Sequence, residues 1–246
     1  MTTLLQKERV LPLRVFVGAP NKTPQQTLWV THSFCNLVQS LTSLIFPDRC
    51  VGCDIWGALL CASCYDRLHF LKVPAHLPHL SKQYFTDAYS VLAYESLAHD
   101  WIHQYKYHRK LYLAPLFISL LSKANLSWEN YDSIVPVPLH WTRQVRRGFN
   151  PTYLLTNELG KKLGKPILPY LKKVRRTKPQ TKLSQEERLK NVKGTFACNR
   201  HQDIKDLSLL LVDDVLTTGA TVNECAKVLM KAGAKRVDVL TLARPL

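Results

Sequence analysis

The chain has 246 residues, of which 46% are hydrophobic and 21% charged, and its formal net charge is +16. This length and hydrophobic share predict one folded core with room for a small satellite domain, and they exclude a wholly disordered protein. The apolar runs fall short of the ~20 residues that a membrane-spanning helix needs, and the first residues lack the pattern of a secretory signal. We therefore expect a cytoplasmic protein.

The N-terminal third of the chain is predicted to contain a small module of its own. Residues 1–32 show no sustained hydrophobic period and are expected to form a poorly ordered extension. Apolar residues recur at helical spacing from Phe34 to Phe46, which predicts a short amphipathic helix. This helix leads into a cysteine-rich segment, so that residues 33–73 form the expected module. Two prolines in residues 74–80 indicate a linker.

Four of the seven cysteines form two C-x₂-C units, CVGC and CASC, with seven residues between them. Two such units can supply four thiolates to one tetrahedral Zn²⁺ ion. Disulfides are the competing interpretation, although a cytoplasmic compartment opposes them, and a redox dithiol is another. We expect structural zinc, with every coordination position filled by the protein. The predicted ligands are Cys50, Cys53, Cys61 and Cys64.

Residues 81–246 alternate between strand and helix patterns. Strands are predicted within 85–94 and at 133–137, 167–170, 207–212 and 237–242, and helices within 97–123 and at 151–163 and 221–232. This alternation predicts an α/β domain with a parallel sheet and crossover helices. Ligands of such sheets bind at the carboxyl ends of the strands.

One of these strand ends carries the sequence LLLVDDVLTTGATV, Leu209 to Val222. Backbone N–H groups at the start of the following helix attract an anion, and the threonine hydroxyls can donate to phosphate oxygens. Gly219 permits a close approach of the backbone or a positive φ. The two aspartates would repel a phosphate but suit sugar hydroxyls or Mg²⁺. The stretch predicts a pocket for a ribose 5-phosphate, and a capped helix after a core strand is the simpler alternative.

A second strand end carries IVPVPLHWTRQVRRGFNP, residues 134–151. Its arginines can pair bidentately with phosphate oxygens, and its glycine allows a turn before the next helix. A plain surface loop is the alternative. The candidate residues are Arg143, Arg146, Arg147 and Gly148.

Positive charge is concentrated between His140 and Lys205, where 17 lysines and arginines stand against four acids. Such a concentration predicts a polyanionic partner, and a solvated basic surface is the alternative. Single-stranded nucleic acid is favoured because aromatic residues that could stack on bases are interleaved with basic ones, although many of these rings could belong to the core. The rings are Trp101, Tyr105, Tyr107, Tyr112, Trp141, Phe149 and Tyr153.

The stretch VDDVLTTGAT resembles the phosphoribosyl pyrophosphate (PRPP) signature of type I phosphoribosyltransferases, with alanine where many members have a second glycine. The resemblance implies a type I phosphoribosyltransferase-like domain that binds PRPP with Mg²⁺. It also implies that the loop at residues 134–151, here called the arginine loop, binds the pyrophosphate. Asp213 and Asp214 would hold the ribose hydroxyls. The residues implied to surround the 5-phosphate are Thr217, Thr218, Gly219, Ala220 and Thr221.

Four blocks in a fixed order resemble the ComF family of competence proteins, related to the GntX type. They are the tetracysteine segment, PVPLHWTRQVRRGFNP, RRTKPQTKLSQEERLKNVKGTF and LLLVDDVLTTGATV, and the likeness spans Phe34 to Leu246. It implies handling of single-stranded DNA during natural transformation, with other DNA-uptake proteins at the inner face of the membrane as further partners. In the third block, a predicted lid, Gln180, Arg188 and Asn191 match the family pattern. The alternative is an active enzyme that transfers the 5-phosphoribosyl group from PRPP to a nitrogen nucleophile.

Overall fold

The computed structural model describes residues 49–78, 80–139, 149–175, 177, 184–199 and 204–246. The predicted N-terminal extension and the helix predicted from Phe34 to Phe46 lie outside the described residues. The chain divides into two compact units, and the division falls between Tyr65 and Asp66. Within the described part, no helix is both long and apolar enough to cross a membrane.

Residues 49–65, the described part of the first unit, form a turn-rich knuckle. The amide of Cys50 donates to the carbonyl of Ile55 at 2.8 Å. The backbone reverses through two residues with positive φ, Asp54 at 61° and Gly57 at 115°. A short helix, α1 (Ala62–Asp66), then carries the last cysteine of the knuckle. These turns bring the two C-x₂-C units face to face.

The second unit is an α/β domain. Its described elements are, in chain order, β1 (Ala88–Ala93), α2 (Ser96–Tyr107), α3 (Ala114–Leu121), β2 (Ser133–Pro136), α4 (Pro151–Leu163), β3 (Leu171–Lys173), α5 (Gln185–Val192), β4 (Phe196–Cys198), β5 (Ser208–Val215), α6 (Ala220–Lys231) and β6 (Arg236–Arg244). Four of the strands form a sheet in the spatial order β1-β6-β5-β2, and each neighbouring pair is parallel. The central strands are apolar and buried along most of their length, as expected for a sheet covered on both faces. The predicted parallel α/β domain is confirmed.

Isolated backbone pairs extend this sheet at both edges. Phe70 pairs antiparallel with Leu92 of β1, and Ile167 pairs parallel with Ile134 of β2. The strand predicted at 167–170 is therefore reduced to a single bridge. The chain instead forms β3 a few residues later, and β3 pairs antiparallel with β4 in a separate two-stranded sheet that the sequence did not predict.

Residues within the predicted linker at 74–80 contact the α/β domain. The amide of Ala75 donates to the carbonyl of Ala88 at 2.6 Å. Leu77 and Leu80 pack against the buried core of the domain. The contacts fix this stretch along the first strand and beside the core.

The helix α2 and a residue just before it contact the carboxyl end of the sheet. Just before the helix, the amide of Tyr94 donates to the carbonyl of Arg244 at the end of β6, at 2.7 Å. Near its other end, Lys106 Nζ lies 2.8 Å from Asp214 Oδ1 in β5, and the Tyr105 hydroxyl donates to the first residue of α4 at 3.3 Å. A helix of 12 residues is about 18 Å long, and strands are about 4.8 Å apart, so α2 can pass several strand ends.

Candidate functional site

The four predicted zinc ligands come together in the knuckle. The Sγ atoms of Cys50, Cys53, Cys61 and Cys64 all lie within 4.8 Å of one another. Cys61 Sγ is 3.6 Å from the Sγ atoms of both Cys50 and Cys53. A tetrahedral zinc ion with Zn–S bonds of about 2.3 Å separates its sulfurs by about 3.8 Å, whereas a disulfide bond measures about 2.05 Å. The spacing fits one shared metal ion such as zinc.

Backbone donors and burial act in opposite directions on these thiols. The amides of Gly52 and Cys61 each donate to Cys50 Sγ at 3.4 Å. Burial raises the pKa of Cys50, but the amide donors outweigh it and the net pKa is lowered to about 6. Burial, together with the neighbouring sulfurs, raises the pKa of Cys64 to about 12. A divalent cation would let all four act as thiolates, because metal binding displaces thiol protons.

Cys53→Ser is expected to remove the metal from the purified full-length protein, because a serine hydroxyl is a poor ligand for zinc and three thiolates bind it far more weakly. Metal analysis of wild type should give about one zinc ion per chain, as four cysteine ligands require, and the variant should give almost none. Cys198→Ser, in β4 outside the cluster, is the matched control and should keep its zinc. Wild-type metal content in Cys53→Ser would reject this metal site.

Asp213 and Asp214 lie inside the last part of β5. The strand runs to Val215, three residues beyond its predicted end, and pairs with β6 along this stretch. Successive side chains of a strand point to opposite faces, so the two carboxylates meet different neighbours. Asp213 Oδ1 accepts from Thr152 Oγ1 of α4 at 3.4 Å. Asp214 Oδ1 pairs instead with Lys106 of α2.

Lys106 forms an ion pair with Asp214, and its charge also acts on Asp213. Burial, and then the charge of Asp214, raise the pKa of Asp213 to about 7, against the opposing effect of Lys106. Lys106 is largely enclosed, with a side chain 18% exposed. Burial acts to lower the pKa of Lys106, but its attraction to Asp214 outweighs this and the net pKa shift is upward. An ionised Asp213 therefore adds negative charge that a sugar hydroxyl or a cation can stabilise.

The raised pKa of Asp213 predicts a change of stability with pH. An unfolded aspartate titrates near 3.9, whereas Asp213 titrates near about 7 in the fold. Between about pH 4 and about pH 7 the folded chain keeps a proton on Asp213 that the unfolded chain has lost. The free energy of unfolding therefore falls as pH rises through this window, and above about pH 7 the contribution of Asp213 no longer changes. Asp213→Asn does not titrate and keeps the acceptor oxygen, so its free energy of unfolding relative to wild type should increase over this window.

Urea denaturation at about pH 5 and about pH 8 measures this difference, because most of the change lies between these two values. Glu129→Gln, which replaces an exposed carboxylate away from the site, is the control and should follow wild type at both pH values. Parallel pH dependence of wild type and Asp213→Asn would show that Asp213 has an ordinary pKa.

The predicted phosphate loop follows β5 directly. Gly219 precedes α6 with φ of 70°, a left-handed backbone conformation that favours glycine, and a Cβ atom there would lie 2.6 Å from Cδ1 of the flexible Leu77 side chain, which would have to move. The amide of Ala220, the first helical residue, donates to Thr218 Oγ1 at 3.4 Å. Thr217 is exposed at the turn. The five predicted residues occupy the turn and the start of the helix: Thr217, Thr218, Gly219, Ala220 and Thr221.

Some of the other predicted anion-binding residues lie in the described part of the chain and some lie outside it. Arg143, Arg146, Arg147, Gly148 and Gln180 lie outside the described residues. Arg188 and Asn191 lie on α5, which begins with a capping box between Ser184 and Glu187. This helix packs beside α6. The amide of Gly194, just after α5, donates to Glu224 Oε1 of α6 at 2.8 Å.

The predicted stacking rings divide into buried and exposed groups. Trp101 and Tyr105 are each 1% exposed, so the core alternative holds for these two rings and they cannot stack on nucleic acid. Both lie on the buried face of their amphipathic helix. Tyr107, Tyr112 and Tyr153 are between 45% and 54% exposed. Phe149 is partly buried against Tyr105, and Trp141 lies outside the described residues.

Two residues of the acidic strand end were missed by the sequence analysis, namely Lys106 and Thr152. A signal existed for Lys106, which lies four residues after the buried Ile102 and therefore near the inward face of α2. Its partner is more than a hundred positions away in the chain, so spacing alone did not connect them. Thr152 follows the proline that starts α4, and nothing in the sequence marked it as a contact of Asp213.

Comparison with known proteins places this fold and these residues in a family. Residues 117–246, more than half of the chain, match the family described as phosphoribosyl transferase domain. The chain is also 31% identical over 210 residues to the competence protein ComFC of Streptococcus pneumoniae, covering 85% of this chain and 87% of that protein. The chain belongs to the ComF family.

Other relatives of this ComF-family chain match it over a shorter stretch. Competence protein F of Haemophilus influenzae is 40% identical over 115 residues, which cover 46% of this chain and 50% of that protein. The DNA utilization protein YhgH of Salmonella typhimurium is 36% identical over 152 residues, which cover 59% of this chain and 66% of that protein. The chain thus spans about half to two thirds of the length of these two relatives.

Proposed function

We propose that this ComF-family protein acts in natural competence, where it handles single-stranded DNA and binds PRPP at the carboxyl end of its sheet. The observation that carries the proposal is the turn from β5 to α6. There, two adjacent carboxylates precede a helix N-terminus that the chain enters through Gly219, whose positive φ favours glycine. A sugar phosphate matches this arrangement, because it offers hydroxyls to the acids and an anion to the helix.

The parts of PRPP can be assigned to the described groups by their chemistry. The amides and hydroxyls from Thr217 to Thr221 would donate to the 5-phosphate, supported by the dipole of α6. Asp213 and Asp214 would accept from the ribose hydroxyls. Lys106 lies close enough to Asp214 to moderate the repulsion between the carboxylates and the phosphates of PRPP. The arginine loop would hold the pyrophosphate.

Mg²⁺ is proposed to arrive with PRPP. Among the described residues, the cysteine cluster is the one group of three or more candidate ligands close enough to hold a metal. Mg²⁺ prefers oxygen ligands, keeps several waters and commonly binds through substrate phosphates together with one or two carboxylates. Asp213 and Asp214 are suited to that second role.

The competence role is supported by the relatives. Two of them are named as competence proteins and one as a DNA utilization protein. The basic composition of this chain agrees with a polyanionic ligand. In the described part of the basic segment, exposed cations include Lys162, Lys172, Arg175, Lys190 and Lys193. A cytoplasmic position at the inner face of the membrane, close to other DNA-uptake proteins, belongs to the same proposal.

Asp214→Asn is expected to weaken PRPP binding at least about tenfold, because a hydrogen bond to a charged group contributes about 1.5–3 kcal/mol. Titration calorimetry with PRPP and Mg²⁺ measures this. Asp132→Asn is the matched control, because Asp132 accepts from the amide of Ser208 at the opposite end of the same strand. Equal PRPP affinity in Asp214→Asn and wild type would remove the ribose assignment. The same samples, supplied with a panel of bases or DNA, also report transfer, since an active transferase releases pyrophosphate.

Single-stranded DNA binding should weaken steeply with salt, because phosphate contacts release counterions. Lys172→Ala should lower the slope of log affinity against log salt by about 0.7, the value for one phosphate contact on a single strand. Lys231→Ala, an exposed lysine at the end of α6 outside the basic segment, should leave the slope unchanged. Fluorescence anisotropy with oligothymidylate at several salt concentrations gives the slopes. An affinity for DNA that does not change with salt would contradict phosphate recognition.

A further inference from the structure

Five aromatic rings form a line along the outer side of α2. The rings of Tyr94 and His99 have their centroids 5.1 Å apart, and those of His99 and His103 are 6.2 Å apart and nearly parallel. His103 continues to Tyr107 at 4.7 Å and to His108 at 5.6 Å. We call these five residues the ring ladder. Four of them are exposed, and Tyr94 is half-buried.

Helical spacing produces this ladder. His99, His103 and Tyr107 are four residues apart, so they lie above one another on one face of the helix. The opposite face is buried and includes Trp101 and Ile102. The rings of the ladder are therefore directed away from the core, which is already filled by the other face of the same helix.

The end of the ring ladder at Tyr107 and His108 is basic, whereas two exposed acids, Glu95 and Asp100, lie at its other end. Arg109 and Lys110 follow its last ring directly. Asp100 is the one acid within α2, and it contacts His99, with its Oδ1 3.0 Å from Nδ1. Leu111 and Tyr112, 44% and 54% exposed, extend the apolar surface beyond the basic pair. Rings beside cations are the combination that binds bases and phosphates of a single strand.

One end of the ladder lies at the edge of the proposed PRPP site. Tyr94 directly follows β1, at the carboxyl end of the sheet. Burial raises the pKa of Tyr94, and the charges of Lys106 and Asp214 also act on it, so this ring is within electrostatic reach of the acidic strand end. The ladder and the site are thus carried by one helix, which presents Lys106 inward and the rings outward.

We propose that the ring ladder is a base-stacking surface for single-stranded nucleic acid, running along α2 from the edge of the PRPP site. The inference rests on the proposed function, because it assigns residues to the DNA binding proposed there. The rings contact one another at 4.7 to 6.2 Å, so bases would lie on their solvent-exposed surfaces rather than between them. In a duplex the base faces are covered by their neighbours in the stack, so only unpaired bases can use these surfaces and the ladder should prefer single strands.

The test uses full-length His103→Ala/Tyr107→Ala and its matched partner, His103→Phe/Tyr107→Phe. The alanine pair removes two rings and should weaken oligothymidylate binding by about fivefold to a hundredfold for each ring, in line with base stacking on other single-strand binders. The phenylalanine pair keeps both rings and should bind within a few-fold of wild type. PRPP affinity should be unchanged in both, because neither side chain belongs to the proposed PRPP site.

The outcomes separate this inference from the proposed function. Wild-type DNA affinity in the alanine pair would overturn the ladder while leaving DNA binding by the protein intact. An equal loss in the phenylalanine and alanine pairs would overturn stacking as the cause. Loss of PRPP binding together with DNA binding in the alanine pair would show a structural defect and also reject the ladder. If wild type itself binds no single-stranded DNA, the proposed function fails and the inference fails with it.

Discussion

The ion pair between Lys106 and Asp214 joins the helix α2 to the carboxyl end of the sheet. Both side chains are mostly enclosed, at 18% and 15% exposed, so each loses hydration that the Coulomb attraction must offset. A buried pair of this kind is weak evidence for stability, because apolar residues of similar size often serve as well. Its position next to Asp213, whose pKa is raised by burial, agrees with the proposal that the acids bind a ligand. The pair lies on the inward side of α2, with the buried apolar residues Trp101 and Ile102.

The two faces of α2 link the proposed activities of the ComF-family protein. The inward face holds Lys106 against the acidic strand end, and the outward face carries the ring ladder. A ligand that changes the Lys106 contact would act on the same rigid element that presents the rings. Coupling between PRPP and DNA would then need no large domain movement, because a small displacement of one helix changes both surfaces. Such coupling would be reciprocal, so each ligand would alter the affinity for the other.

Local patterns in the sequence were sufficient to predict the central features of the fold. Contacts between residues far apart in the chain could not be predicted from them. The apolar run into Asp213 and Asp214, followed by threonine and glycine, predicted the strand, the turn and the helix because all three are adjacent in the chain. The paired C-x₂-C units predicted the cysteine cluster for the same reason. The two-stranded sheet of β3 and β4 was missed because its strands have three residues each and lie more than twenty positions apart. Trp101 and Tyr105 could not be assigned to the core or to the surface, because a basic, aromatic stretch does not show which helical face is buried.

The opposite orientation of Asp213 and Asp214 has a consequence for how this region can change. One acid faces Thr152 and the other faces Lys106 only because they are consecutive residues of an extended strand. Inserting or deleting a single residue upstream within β5 would turn each side chain to the other face and exchange their surroundings. The number of residues between the start of the strand and the acids is therefore constrained as strictly as the acids themselves. Length variation among relatives should accordingly be confined to segments outside this strand.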